Sequence, residues 1–241
     1  MCPIPPDPDA APRAPEDGAP LDAVADQPSE AAPHGMPARV LEREAVRLHA
    51  RYPEVGDVAT ARTVLAESYA TLSATSRHPE MLATTSVRHA ADRLRAMAIA
   101  QGSIESRHPR VLFVCHGNAG RSQMAAALLE NRSAGAVKAR SAGTSPAGEI
   151  IPTALDAMTE AGIPLHHAYP KGLDEDVLRT TELVVLFDGA DPFEIPAGAE
   201  VRRWPVPSIR GLGIEQVRSV RDALDLQVRE LIADLEERAA A

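Results

Sequence analysis

The C-terminal part of the 241-residue sequence predicts an α/β fold, a four-stranded parallel sheet with helices on both faces. The first observation is a pair of short apolar runs, 110–114 and 183–187, with the composition of strands buried on both faces. The second is the alternation of such runs with segments of helical periodicity up to the C-terminus. Parallel strands need crossover connections of this kind, so a sheet covered on both faces is the expected result.

Three segments of the chain differ in composition. Residues 1–37 contain ten of the 21 prolines and seven acidic residues against one arginine, with few bulky apolar side chains. Such a segment buries too little surface to offset the entropy of ordering, so we predict a disordered tail; a tail that folds on a partner is the alternative. We predict a three-helix domain at 38–104 and the α/β domain at 105–241.

The three-helix domain is delimited by cap and turn residues. Helical spacing of apolar residues predicts helices over about 40–48, 57–72 and 84–97. Asp57 is the expected N-cap of the second helix, and Gly102 the stop of the third. Three short helices enclose a small core that is marginal alone, so we expect this domain to pack on the α/β domain or to pair with a copy of itself.

The α/β domain contains four predicted strands and four predicted helices. The strands are expected at 110–114, 137–141, 183–187 and 201–204. The helices are expected at 122–131, 152–161, 174–180 and 214–237. Pro152 near the first turn and Gly162 just past the end frame the second of these helices.

Charge and cysteine content exclude several classes of protein. The net charge is −9, and because residues 1–37 carry most of it, the remainder is nearly balanced and offers no basic surface for nucleic acid. No apolar run approaches the roughly 20 residues that span a bilayer, and no signal peptide is recognisable, so we expect a cytoplasmic protein without membrane contact. The two cysteines, Cys2 and Cys115, predict neither a structural disulfide nor a metal site.

A Cys-x5-Arg loop, from Cys115 to Arg121, follows the first predicted strand and precedes a helix. Ligands of open α/β sheets bind at the carboxyl ends of strands, and a helix start adds free N–H groups and a positive dipole end. Gly117 and Gly120 are expected to allow a tight loop whose N–H groups converge on an anion. The predicted oxyanion-binding residues are His116, Gly117, Asn118, Ala119, Gly120 and Arg121.

Three side chains of this loop are predicted to be catalytic. Cys115 is the expected nucleophile, because the helix start and the neighbouring arginine both favour a thiolate. Arg121 presents a planar fork that matches a tetrahedral oxyanion. Ser122 is expected to donate a hydrogen bond to the thiolate. The alternative is that Cys115 is an inert, buried cysteine at a strand end.

The segment VLFVCHGNAGRSQMAAALL, residues 111–129, resembles the active-site segment of the low-molecular-weight tyrosine phosphatase superfamily. It is most similar to the arsenate reductases built on that fold, and the resemblance covers about 108–237. The motif Ser141-Ala142-Gly143-Thr144 resembles that of the family's second strand. The resemblance implies that Ser141 supports the nucleophile loop through Asn118.

The sequence departs from this family at the general acid. The family places an aspartate in the loop after the fourth strand, where this chain has Ser208. Loss of a general acid typically removes a factor of roughly 10²–10⁴, and the hydrolysis of phosphomonoesters suffers most because the alcohol is a poor leaving group. Asp188 or Asp191, after the third strand, is a possible substitute acid, although a solvated loop acid is the alternative for both.

A second departure concerns the redox relay. Thioredoxin-coupled arsenate reductases of this fold use two further cysteines near the third strand, and residues 186–192 contain none. The resemblance therefore implies no bound cofactor but an external thiol, mycothiol, and a separate redoxin. The favoured function is reduction of arsenate. The alternatives are a protein-tyrosine or small-molecule phosphatase, and a non-catalytic dimer that binds oxyanions.

The helical segment resembles the three-helix dimerisation domain that precedes some bacterial arsenate reductases. The likeness rests on Ala66-Glu67-Ser68-Tyr69-Ala70-Thr71-Leu72 and Arg93-Leu94-Arg95. It implies a homodimer that forms through this domain.

Overall fold

Residues 36–240, which the computed structural model describes, form seven α-helices and four β-strands. The helices are α1 (Ala38–Arg51), α2 (Val58–Ser73), α3 (Leu82–Ala100), α4 (Arg121–Arg132), α5 (Pro152–Glu160), α6 (Glu175–Arg179) and α7 (Ile214–Ala240). The strands are β1 (Arg110–Cys115), β2 (Lys138–Gly143), β3 (Leu183–Phe187) and β4 (Glu200–Trp204). The predicted disordered tail lies outside the described residues, apart from Met36 and Pro37.

Helices α1, α2 and α3 enclose a small apolar core, and their ends follow the predicted signals. Asp57 accepts a hydrogen bond from the Thr60 N–H at 2.8 Å and so caps α2. Gly102 adopts a left-handed φ of 71°, which ends α3 as expected. Leu65 and Leu94 are fully buried between the helices.

The four strands form one parallel sheet, as the sequence predicts, and their order is β2-β1-β3-β4. Strand β2 extends two residues beyond the predicted 137–141, because Ala142 and Gly143 continue the ladder opposite Val114 and Cys115. Their small side chains gave no strand signal in the sequence. The carboxyl ends of β1 and β2 therefore meet at the loop that follows Cys115.

Both faces of the sheet are covered. Alternate β1 residues, such as Phe113, pack on one face in a core that includes α4, α5 and α7. The intervening residues, such as Leu112, pack on the other face with α6 and the chain after β3. Phe113, Phe187 and Trp204 form an aromatic cluster, with centroids of Phe113 and Trp204 5.4 Å apart. Trp204 thus packs on the sheet.

The three N-terminal helices, called here the helical unit (38–100), dock on the α/β part of the same compact unit. Helix α3 packs against α6. His89, 2% exposed, contacts Asp174 with 2.5 Å between Nε2 and Oδ2. Arg93 reaches Asp176 at 3.0 Å from the same helix. The helical unit thus packs on its own chain, one of the two expected outcomes, and pairing with a copy stays a prediction.

No helix among residues 36–240 is long and apolar enough to cross a bilayer.

Candidate active site

The loop between β1 and α4 begins at Cys115, the last residue of β1, which is one of the two inner strands of the sheet. Cys115 lies opposite Gly143 of β2 and is 4% exposed. Gly143 is required at this position, because a Cβ would lie 2.6 Å from His116 O and 2.8 Å from Asn118 N. The end of β2 thus presses directly on the loop backbone.

Every carbonyl oxygen from Cys115 to Gly120 accepts a hydrogen bond from the surrounding protein. The bonds are Thr144 N to Cys115 O (3.1 Å), Ser145 N to His116 O (2.8 Å), Ala147 N to Gly117 O (2.9 Å), Gln123 Nε2 to Asn118 O (3.1 Å), Ile151 N to Ala119 O (2.9 Å) and Met124 N to Gly120 O (2.9 Å). Four of the six donors belong to residues 144–151, which we call the supporting segment.

The N–H groups of the same loop have no hydrogen-bond partner among residues 36–240. From His116 to Arg121, no main-chain N–H donates to an acceptor within residues 36–240. Six consecutive amides are therefore available to a ligand, next to the positive dipole end of the 12-residue helix α4. Because buried amides rarely go without a partner, this arrangement is that of an anion-binding loop.

The turn of the loop includes a left-handed residue, Asn118, with a φ of 47°. Neither Gly117 nor Gly120 has a positive φ. Asn tolerates the left-handed region better than most residues, so Asn118 contributes to the tight loop that was expected from the glycines. Gly120 gives the loop a close approach to Ile209, because a Cβ there would lie 2.5 Å from Ile209 Cδ1 and the Ile209 side chain would have to move.

A chain of hydrogen bonds under the loop reaches the cysteine. Asn118 Nδ2 donates to Ser122 Oγ at 2.9 Å, and Ser122 Oγ lies 3.0 Å from Cys115 Sγ. Because the amide nitrogen can only donate, the serine hydroxyl hydrogen is left for the sulfur. Ser122 can therefore stabilise a Cys115 thiolate.

The side-chain oxygen of Asn118 is held by residues that the sequence did not single out. It accepts from Lys171 N at 3.0 Å and from Gln123 Nε2 at 2.8 Å, which fills both lone pairs. Ser141 was expected to support the loop through Asn118, and these two described residues form no hydrogen bond with each other. Ser141 Oγ accepts instead from Lys171 Nζ at 3.4 Å, so Lys171 lies between them.

Lys171 is half-buried, and no carboxylate of residues 36–240 forms an ion pair with it. Its ammonium lies 4.6 Å from the centroid of Tyr169, and burial lowers the pKa of the side chain to about 8. The only signal for Lys171 in the sequence is the scarcity of lysine, since the chain contains two. Its importance comes from long-range packing that no local motif encodes.

Arg121 is held rigidly at the start of α4. Nη1 donates to Val206 O at 2.8 Å and Nη2 to Asp188 O at 3.1 Å, and the guanidinium stacks over Phe187. Burial lowers the pKa of Arg121, although the nearby Cys115 and Asp188 act in the opposite direction. Of its five N–H donors, the two carbonyls use two, so three remain for an oxyanion.

The cavity over the loop has a volume of about 80 Å³, which suits a small inorganic ion. Its lining residues are Cys115, His116, Gly117, Ala119, Gly120, Arg121, Ile151, Ser208, Ile209 and Arg210. Asn118 lies beneath it as a support. Arg210, which sequence reasoning missed, adds a second guanidinium to the cavity wall, and Ser208 stands beside it.

Neither predicted substitute acid lines this cavity. Asp188 contacts Arg121 through its carbonyl, and its carboxyl is at the exposed end of β3. Asp191 Oδ2 accepts from Thr144 Oγ1 at 2.9 Å and lies 3.2 Å from His116 Nδ1. The His116 side chain thus points away from the loop centre towards Asp191. Among the described residues, no group of three or more His, Cys, Asp or Glu side chains is placed to hold a metal.

Comparison with known families assigns the α/β part of the chain. Residues 110–241 match the model of the low molecular weight phosphotyrosine protein phosphatase family, and the chain belongs to this family. Residues 41–98 match the N-terminal domain of protein-tyrosine-phosphatase-like proteins. The second match covers most of the helical unit.

Similar proteins include reductases and a phosphatase. A Corynebacterium glutamicum thioredoxin-dependent arsenate reductase of known structure is 33% identical, with a TM-score of 0.74, over 83% of this chain and 98% of that one. A Halobacterium salinarum protein provisionally assigned as an arsenate reductase is 32% identical over 125 residues, 49% of this chain and 87% of its own length. The Bacillus subtilis protein-arginine-phosphatase is 39% identical over 80 residues, 31% of this chain and 53% of its own.

The Halobacterium protein is therefore too short to contain a counterpart of the helical unit, whereas the C. glutamicum protein matches both parts of the chain.

Proposed function

We propose that this protein reduces arsenate, with Cys115 as the nucleophile and an external thiol as the first electron donor. The observation that supports it most strongly is the row of free amides from His116 to Arg121 around a cysteine thiol. The arsenate reductase relatives agree with a role in arsenic detoxification.

The reaction begins with an oxyanion bound by the loop amides and Arg121. The Cys115 thiolate attacks arsenic, a sulfur–arsenic bond forms, and an oxygen leaves as water after protonation. An external thiol then displaces Cys115 from arsenic. A second thiol, on a redoxin, attacks the sulfur of this adduct. A disulfide forms, the electron pair of the broken bond stays on arsenic, and arsenite is released.

The need for an external thiol follows from the cysteine content. Cys115 is the single cysteine between residues 36 and 240, so no second thiol of that part of the chain can form a disulfide with it. We propose mycothiol as the external thiol. Thioredoxin is the alternative donor, and the dependence of the C. glutamicum relative on thioredoxin favours it.

No carboxylic acid of residues 36–240 lines the cavity, and this supports arsenate over phosphomonoesters as the substrate. Ser208 cannot protonate a leaving alcohol efficiently, and neither Asp188 nor Asp191 lines the cavity. Hydroxide and water leave arsenic more readily than an alkoxide leaves phosphorus, so arsenate tolerates the missing acid better.

A phosphatase is the second candidate function. The family assignment and the protein-arginine-phosphatase relative support it. A non-catalytic, oxyanion-binding dimer is the third candidate, and Ser208 is the residue that supports it.

The decisive measurement is arsenite release from arsenate by the purified protein. One reaction contains mycothiol and its redoxin, a second contains thioredoxin and its reductase, and Cys115→Ser is the control for both. Turnover with mycothiol that the control lacks is the expected result. Turnover with thioredoxin alone would show that thioredoxin, not mycothiol, is the thiol donor, and the proposed arsenate reduction would stand. Phosphate binding without turnover in either reaction would overturn the proposal.

A further inference from the structure

We infer that the helical unit positions the oxyanion loop, and that the connection between α2 and α3 (74–81) does so through the supporting segment. This role goes beyond the proposed reduction and rests only on the loop's binding of an oxyanion.

The supporting segment is bonded to the loop along most of its length. The N–H groups of Thr144, Ser145, Ala147 and Ile151 fix four of the loop carbonyls. Because each peptide unit is planar, fixing a carbonyl also fixes the direction of the following N–H group. A displacement of the supporting segment therefore changes the directions of the amides that face the ligand.

The connection between α2 and α3 holds the supporting segment at one point. Arg77 N donates to Gly148 O at 2.9 Å, and Arg77 Nη1 donates to Glu149 Oε1 at 2.9 Å. Gly148 permits the close approach, because a Cβ there would lie 2.7 Å from Arg77 Cγ and 2.8 Å from Thr75 O. Thr75 O belongs to the main chain, so it cannot rotate away as the Arg77 side chain can.

Next to this contact, the helical unit and the α/β part stand apart. A cavity of about 500 Å³ lies between them, and Leu72 and Met81 on one side do not fill the space before Leu155 on the other. The supporting segment forms part of its wall through residues 147–150. Ile150 holds one end of the segment in the α/β core, and the contact of Arg77 with Gly148 and Glu149 is the hydrogen-bonded link from the segment to the helical unit across this poorly packed region.

The first test replaces Gly148 by alanine in the full-length protein. The added Cβ must push the supporting segment away from residues 75–77. We expect the dissociation constant for inorganic phosphate, measured by calorimetry, to rise about tenfold. The scale is set by catalysis, where a misplacement of a full ångström lowers the rate by roughly 100-fold. Gly213→Ala is the matched control, because a Cβ at Gly213 meets nothing within 4 Å.

A second test uses the ion pair and does not depend on the first variant folding. Arg77→Glu and Glu149→Arg should each weaken phosphate binding roughly two- to fivefold, the effect of an exposed pair. The double variant, with the charges exchanged, should recover wild-type affinity. A role in stability alone would shift the melting temperature without this pattern of loss and rescue in phosphate affinity.

Phosphate binding does not require reduction, so these results are independent of the arsenate assay. If Gly148→Ala unfolds cooperatively yet binds phosphate as tightly as Gly213→Ala, the inference is wrong. It is equally wrong if both charge variants bind phosphate normally. Weak binding in Gly148→Ala together with rescue by the charge exchange would establish the positioning role, whichever reaction the site performs.

Discussion

The direction of the hydrogen bonds of Asn118 and Ser122 makes the sulfur of Cys115 a hydrogen-bond acceptor. Asn118 is fully buried; its side-chain oxygen accepts from Lys171 and Gln123, and its amide nitrogen donates to Ser122. Ser122 therefore has one orientation in which every group is satisfied, with its hydrogen directed at Cys115. The network makes the sulfur an acceptor, and a thiolate accepts better than a thiol.

At Ser208, restoring a carboxylic acid should produce phosphatase activity. Ser208 lines the cavity beside Arg210, so an aspartate there can protonate a leaving phenolate. We expect Ser208→Asp to raise kcat for p-nitrophenyl phosphate by at least about tenfold, a fraction of the 10²–10⁴-fold that a placed acid contributes. Ser208→Asn has the same shape without the proton and should show no gain. An equal rate in both variants would contradict this role.

Lys171 should make the stability of the protein depend on alkaline pH. Burial lowers its pKa to about 8 in the folded state, whereas the ordinary value is 10.5. Between these values the unfolded chain binds more protons, so the free energy of unfolding should rise with pH from about 8 to about 10.5, by up to about 3 kcal/mol.

Urea unfolding across this pH range measures the effect. Lys171→Met should remove most of the rise, because it leaves no proton to be lost on folding. Lys138→Met, at the other lysine of the chain, should retain the rise. The prediction fails if the two variants show the same dependence on pH.

Individual residues were predictable from sequence where a motif defined them. The Cys-x5-Arg spacing identified Cys115, Arg121 and Ser122, because all three belong to one strand–loop–helix unit. Lys171 and Arg210 were not predictable, since each reaches the loop from a distant part of the chain. The misassigned contact of Ser141 has the same origin.

At the level of elements, the end of β2 determines the shape of the loop. A Cβ on Gly143 would lie within 2.8 Å of two main-chain atoms, His116 O and Asn118 N, and neither can rotate away. We expect Gly143→Ala to lower phosphate affinity by up to about 100-fold and to cost about 1–3 kcal/mol of stability. Calorimetry and urea unfolding measure the two effects.

Gly172→Ala, between α5 and α6, is the control, because the nearest atom to its added Cβ is Pro146 Cγ at 3.7 Å. Wild-type phosphate affinity in Gly143→Ala would show that the loop can shift without loss. Strand β2 was predicted to end two residues too early, because hydrophobic periodicity does not register a strand end made of Ala142 and Gly143. Strand β3, an unbroken apolar run, was predicted to the residue.

On the scale of the whole molecule, polar contacts join the helical unit to the α/β part. Asp174→Ala removes the partner of His89, which is 2% exposed, and we expect it to cost about 2–3 kcal/mol. Trp204 fluorescence reports only the α/β part, because it is the single tryptophan, whereas circular dichroism reports all helices. Both midpoints should fall together in urea.

Glu175→Ala is the control: it removes an exposed carboxylate at the start of α6, next to Asp174, and should leave both urea midpoints unchanged. A fall in the dichroism midpoint alone would show that the helical unit unfolds by itself. The docking could not be predicted from sequence, because His89 and Asp174 are 85 positions apart and neither lies in a motif. The existence of the helical unit and of the α/β part could be predicted, since each has its own pattern of apolar residues.

The six free amides of the loop also provide an isotopic signature of occupancy. Amide hydrogens without an acceptor exchange with deuterated water far faster than those in helices and strands. In the empty protein, a rapidly exchanging stretch from His116 to Arg121 should therefore stand between the slowly exchanging β1 and α4. A bound oxyanion supplies the missing acceptors, so a single peptide in a deuterium-uptake experiment should report binding without a label or a turnover assay.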